Sequence, residues 1–232
     1  MPKHPSRLPD HQLPFLMAGG LLLAGIAGYV NVVVIALGGP PVTHVTGTVS
    51  RLSADLGRAD VNDALFVLSL VASFIAGAGV SGFVLGTQTL RLGRRYGVAV
   101  LIEAVLLGSA TVLFPHAFGI AVLLAAGAAG LQNGMASSYR HLILRTTHVT
   151  GIATDLGFEL GRRLAGHRVE AWHFVLLLGL LLAFGTGGVL GAFAHRDHGV
   201  QALTLPTALL AAAGFSYFGW RRISGFAHRS AR

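Results

Sequence analysis

Six long apolar stretches, at 13–37, 64–90, 97–114, 117–136, 171–194 and 200–218, leave this chain few folds to choose from. Each is long enough to cross a hydrocarbon core of roughly 30 Å as a helix. With no water at that depth, backbone N–H and C=O groups must be satisfied inside the segment. Charged residues make up 11% of the 232, against roughly 25% in a soluble domain, so no charged shell is available to enclose a water-soluble core. The stretches are Leu/Val/Ala/Gly-rich and lack the alternation of an outer-membrane barrel. The first is too long for a signal-peptide core and lacks a convincing small-x-small cleavage site, so it is expected to be retained. The expected fold class is an all-α polytopic membrane protein with six transmembrane helices.

The formal charge of +8 could suggest nucleic acid, but its distribution has a plainer cause. If six helices alternate, one side of the membrane receives Lys3 and Arg7; Arg91, Arg94 and Arg95; Arg140, Arg145, Arg162, Arg163 and Arg168; and Arg221, Arg222, Arg229 and Arg232. That side holds fourteen basic residues, against three on the other (Arg51, Arg58, Arg196). So lopsided a split predicts cytoplasmic termini and removes the main argument for a nucleic-acid partner. The lipid bilayer is the partner the composition demands.

Thr-His-Val-Thr-Gly occurs twice, at 43–47 and 147–151. The likeness extends to Leu52/Leu156, Leu56/Leu160, Gly57/Gly161 and Arg58/Arg162, with an acid matching an acid at Asp55/Glu159. Upstream, Gly28-Tyr-Val-Asn31 parallels Gly130-Leu-Gln-Asn133. Duplication within an apolar chain marks repeat-built membrane folds, whose interrupted segments usually hold the binding site. Three spans per half is an odd number, so the halves would enter the membrane from opposite sides. The expectation is two inverted three-helix repeats, 1–116 and 117–232, each with a short interrupted or re-entrant helix after its first span.

After Pro40-Pro41 a helix cannot continue, and Thr43 or Thr46 could cap a new one from about Gly47 to Gly57. Thr147 or Thr150 could likewise cap a helix from about Gly151 to Gly161 or slightly beyond. Each would be about 16 Å long, too short to cross a bilayer. On the first, Arg51 and Asp55 can pair; on the second, Asp155 and Glu159 are both acidic. Such a segment is either an amphipathic helix in the headgroup region or a re-entrant half-helix whose positive end meets a solute. His44 and His148 can exchange hydrogen bonds or protons with a solute, or be structural. Gly47 and Gly151 permit close approach by a ligand or by a neighbouring helix.

Asn31, Gln132 and Asn133 are amides within the spans, suited to interhelical hydrogen bonds or to lining a shared cavity. Glu103 is the one acid well inside a span. Burying its charge costs at least about 2.5 kcal/mol, which makes it a candidate proton carrier unless a neighbouring helix, or Arg94 or Arg95, satisfies it. Gly82-x-x-x-Gly86 and Gly187-x-x-x-Gly191 suit close helix packing within the subunit, or less commonly a homodimer. His195-Arg-Asp-His198 has metal-like spacing but is expected in an exposed loop without further ligands. Cysteine is absent, and no Walker, Ser-His-Asp or HExxH pattern occurs, so no enzyme activity, cofactor or metal site is expected.

The order Gly-aromatic-x-amide in the first span, Thr-Gly soon after, Gly-x-Gln-Asn in the fourth span and a second Thr-Gly resembles the YoaK-type family. These are bacterial integral membrane proteins carried as a domain of unknown function. Gly130, Gln132, Asn133, Thr150 and Gly151 are the most specific points, and the resemblance covers nearly the whole chain. It departs at Asn31, where the family usually has Asp, and at Thr48, where Asn is common. The resemblance implies the fold and a bacterial inner-membrane location, and it names no substrate. The leading expectation is a secondary transporter or facilitator of a small polar solute. Its substrate-binding candidates are Asn31, His44, Thr46, Gly47, Gln132, Asn133, His148, Thr150 and Gly151, with Glu103 for proton coupling. The alternative is a non-transporting partner subunit or sensor acting through Arg-rich cytoplasmic loops.

Overall fold

The computed structural model describes residues 13–86, 94–137 and 146–229. Among them are eight α-helices and no strand. They are α1 (Leu13–Ala36), α2 (Val45–Gly57), α3 (Val61–Leu85), α4 (Arg94–Leu113), α5 (Phe118–Ser137), α6 (Val149–Leu164), α7 (Ala171–His198) and α8 (Thr204–Arg229). A short 3-10 helix, Gly199–Leu203, joins the last two. The basic residues at positions 3, 7, 91, 140, 145 and 232 lie outside the described residues.

Five apolar stretches within these helices are long enough to cross a membrane, not the expected six. The last, Ala171–Phe218, runs for 48 residues through α7, the 3-10 turn and the start of α8. It counts as one because no polar loop divides it; the break is conformational, at Gly199 with φ +57°. Apolar side chains point outward all along the bundle, Phe83, Val105, Val112, Leu182 and Phe215 among them. A soluble surface could not carry so much exposed apolar area. The chain is a multi-pass helical membrane protein.

Helix ends follow from local chemistry. Gly38 (φ +92°) and Pro40-Pro41 stop α1, and Asp60 caps α3 by accepting the Asp63 N–H at 3.2 Å. Several ends differ from the sequence expectation by a turn. In particular α7 continues through His195–His198, which therefore form its last turn and not a loop. There Arg196 pairs with Asp197 at 2.9 Å, and no metal-binding cluster occurs among the described residues. The basic tail from Arg221 onward is the end of α8, which runs to Arg229.

The most extensive packing joins α1 to α7 and α3 to α5. Both pairs meet backbone to backbone at glycines. A Cβ on Gly187 would lie 2.0 Å from the Gly25 carbonyl oxygen, and one on Gly77 would lie 1.9 Å from that of Gly127. One turn on, a Cβ on Gly28 would strike the Phe184 carbonyl at 2.0 Å, and one on Gly130 that of Phe74 at 2.0 Å. The same device is thus used twice, with α1 and α5 in one role and α7 and α3 in the other. Gly191 also packs on α1, but Gly82 faces open space and Gly86 ends α3 at φ +59°, so among the described residues the first Gly-x-x-x-Gly packs no helix within the subunit. Leu and Val of α1, α4, α5 and α8 fill the larger core, and the Tyr29 hydroxyl ties α1 to the 3-10 turn by donating to Ala202 O at 3.0 Å.

A candidate solute cavity between matching helix starts

The two short helices that follow α1 and α5 in the chain, α2 and α6, begin at Val45 and Val149. The N-cap residues are His44 and His148, not the threonines expected, and neither offers a side-chain cap. Of those threonines, Thr147 uses its hydroxyl to donate to Asn133 Oδ1 at 2.5 Å; within α2, Thr48 and Ser50 bond back to His44 O and Thr46 O. The first intrahelical bonds are Thr48 N–H to His44 O and Ile152 N–H to His148 O. The preceding N–H groups of each helix therefore have no intrahelical acceptor.

Both starts open on one cavity of about 650 Å³. Its walls come in matched pairs: Asn31 and Asn133, His44 and His148, Thr46 and Thr150. Thr43 with Thr147, Val45 with Val149, and Phe74 with Phe184 are paired likewise, and Pro41 lines the wall without a counterpart among the described residues. Asn31 is buried, and its Oδ1 accepts the Thr43 N–H at 3.2 Å. That bond orients the amide and leaves Nδ2 as a donor.

Six of the sequence-predicted residues meet here: Asn31, His44, Thr46, Asn133, His148 and Thr150. Gly47 and Gly151 stand behind the histidines and do not line the cavity. A Cβ would lie 2.8 Å from His44 Nδ1 at the first and 2.0 Å from His148 Nδ1 at the second, so glycine lets each ring fold over its own helix start. Gln132 also lies outside the cavity, where its Nε2 donates to Leu23 O at 2.8 Å and to Thr146 Oγ1 at 3.0 Å.

Glu103 is 3% exposed, and its Oε2 has no hydrogen-bond partner. Among the described residues no cation pairs with it; Arg94 instead sits 5.9 Å from the Phe218 ring centroid. Glu103 borders a void of about 10 Å³ shared with Gln132 and Thr43, near the lower limit for one water. Thr43 lines both the void and the main cavity.

Sequence reasoning missed Phe74 and Phe184. The signal was present as Phe-x-x-Gly at 74–77 and at 184–187, the same spacing before the two close-contact glycines, outside the repeated pentapeptides.

No curated protein and no solved structure matches this chain. The family model described as "Protein of unknown function (DUF1275)" matches residues 19–216, most of the chain and all of the cavity wall. The protein is a member of that family, the one its Gln-Asn and Thr-Gly segments pointed to.

Proposed function

We propose that the protein is a secondary transporter or facilitator of a small polar solute in the bacterial inner membrane, with the solute held in the cavity between two inverted three-helix repeats. The observation that carries this reading is the pairing of the cavity wall, position for position, from two equivalent parts of one chain. Transporters built from inverted repeats hold their solute at such an interface, at interrupted helices near the midplane. In this reading α7 and α8 are separate passes: a 48-residue helical run would be about 70 Å long, more than two bilayer cores. The basic bias then puts both termini in the cytoplasm.

Reconstituted protein should give saturable solute flux that falls when Thr46 and Thr150 are replaced by Trp. A broad panel showing neither flux nor binding would sink the reading. Since the chain has no cysteine, Ser50→Cys and Thr154→Cys report topology on an empty background. Both positions are exposed and should label from opposite faces of the membrane; labelling from the same face would remove the inverted arrangement.

Glu103 is the proton site in this proposal, reached from the cavity past Thr43. Glu103→Gln should keep the fold and abolish proton-coupled uptake. Unchanged coupling would remove Glu103 from the mechanism.

A further inference from the structure

We infer that the solute is an anion, recognised through its oxygens by hydrogen-bond donors converging from both halves. The inference rests on the cavity being the solute site, and it adds the chemical class. Helices of 13 and 16 residues, α2 and α6, both present their starts to this space. At each start the capping position is a histidine that makes no cap bond, so the N–H groups of Val45, Thr46, Val149 and Thr150 keep their hydrogens for a ligand. Two helix dipoles then place partial positive charge on one volume.

Asn31 is the independent observation. It is 8% exposed, and its Oδ1 is committed to the Thr43 N–H. Among the described residues its Nδ2 makes no hydrogen bond, and Asn31 belongs to the cavity wall. With the rest of the side chain enclosed, the cavity is the side from which an acceptor can reach that amide N–H pair. The matching acceptor, Asn133 Oδ1, is covered by the Thr147 hydroxyl. Among the described residues no carboxylate lines the cavity, and Glu103 lies behind Thr43. The wall therefore offers donors and lacks the carboxylates a cation would require. With Phe74 and Phe184 adding apolar surface, the space suits a carboxylate on a small organic body or a compact oxyanion.

The test uses the full chain purified in a neutral detergent, with thermal stability read against sodium acetate, benzoate, nitrate and sulfate. Glycerol, acetamide and choline chloride serve as neutral and cationic probes, with sodium chloride setting ionic strength. At least one oxyanion should stabilise the protein saturably. Thr46→Asp places a carboxylate in the first turn of α2, where it suits the helix dipole and the fold, and directly in the cavity. It should weaken that anion at least about tenfold through charge repulsion while the ligand-free melting temperature holds or rises. Asn31→Leu should weaken the anion without favouring any other class.

Saturable binding of glycerol, acetamide or choline, lost in Thr46→Trp and unmatched by any anion, would overturn the anion assignment and leave the cavity standing as a solute site. No saturable binding by any probe would overturn both. Stabilisation by phosphatidylglycerol alone would replace a free solute with a lipid headgroup and overturn the assignment as stated.

Discussion

Asn31 takes the backbone N–H of Thr43, whereas Asn133, at the matching position, takes the Thr147 hydroxyl. That small difference at the cavity wall grows larger behind it. In the second half Gln132 bonds both Leu23 O and Thr146 Oγ1. The corresponding positions of the first half are Val30 and Val42, both buried in the apolar core. The outer ends diverge as well. Arg51 joins α2 to Asp63 of α3 while also pairing with Asp55 of its own helix, and Glu159 joins α6 to His173 of α7. Surfaces facing the cavity are duplicated, and the supports behind them are not. The comparison teaches that a shared pocket constrains only the side chains that touch it. In the proposed transporter, a one-sided polar support beside Glu103 would give the pocket an asymmetric place to handle a proton.

The largest effects should come where the halves are most alike. Gly28→Val and Gly130→Val each force a Cβ into a carbonyl oxygen 2.0 Å away, which no rotamer can relieve. Helices α1 and α7, or α3 and α5, would have to separate, at a cost above the roughly 1–3 kcal/mol of ordinary overpacking. Neither variant should give a monodisperse peak on size-exclusion chromatography. Gly82→Val, facing open space, should behave as wild type. If only one of the equivalent pair fails, the two contacts do not carry equal weight.

A smaller effect tests the unequal supports. Gln132→Val strips a donor from Leu23 O and Thr146, and should cost about 1–2 kcal/mol at membrane hydrogen-bond strengths. Combining it with Thr146→Val recreates the Val30–Val42 arrangement of the first half. The double variant should recover to within about 0.5 kcal/mol of wild type, a coupling that thermal unfolding in detergent can measure. Additive losses would mean that the polar pair supports the second half in a way valines cannot copy.

Much of this arrangement was legible because bilayers leave helices as the default and because duplicated residues announce themselves. The pentapeptide located both helix starts, and Asn31 and Asn133 were visible as matching amides. The caps were misread because Thr is a better general N-cap than His. What decides the matter here is Gly47 and Gly151, which let the histidine ring fold back, a three-dimensional consequence of residues three positions on. Gln132 looked like cavity lining because it adjoins Asn133, but neighbouring helical residues point about 100° apart, and Gln132 turns toward α1. The break between α7 and α8 was marked by the polar run His195–His198, but its form, a helix continuing through those residues to a turn at Gly199, rests on a glycine conformation that hydropathy does not register.

The smallest expected effect concerns the anchor of α2. Arg51 is half-exposed and lies 3.6 Å from Asp55 Oδ2 and 3.5 Å from Asp63 Oδ2, while Arg58 also approaches Asp55 at 3.7 Å. Exposed pairs of this kind contribute about 0.2–1 kcal/mol. Arg51→Ala should therefore lower stability by less than about 1 kcal/mol, and high salt should erase the difference through screening. Asp55 makes the measurement discriminating, because it is 6% exposed. If Arg58 cannot take over, the variant leaves a buried carboxylate unpaired, and the loss would rise toward about 3 kcal/mol and resist salt. That outcome would make the α2 anchor a buried charge site, unlike the part-buried Glu159–His173 contact of α6, and would widen the difference between the halves.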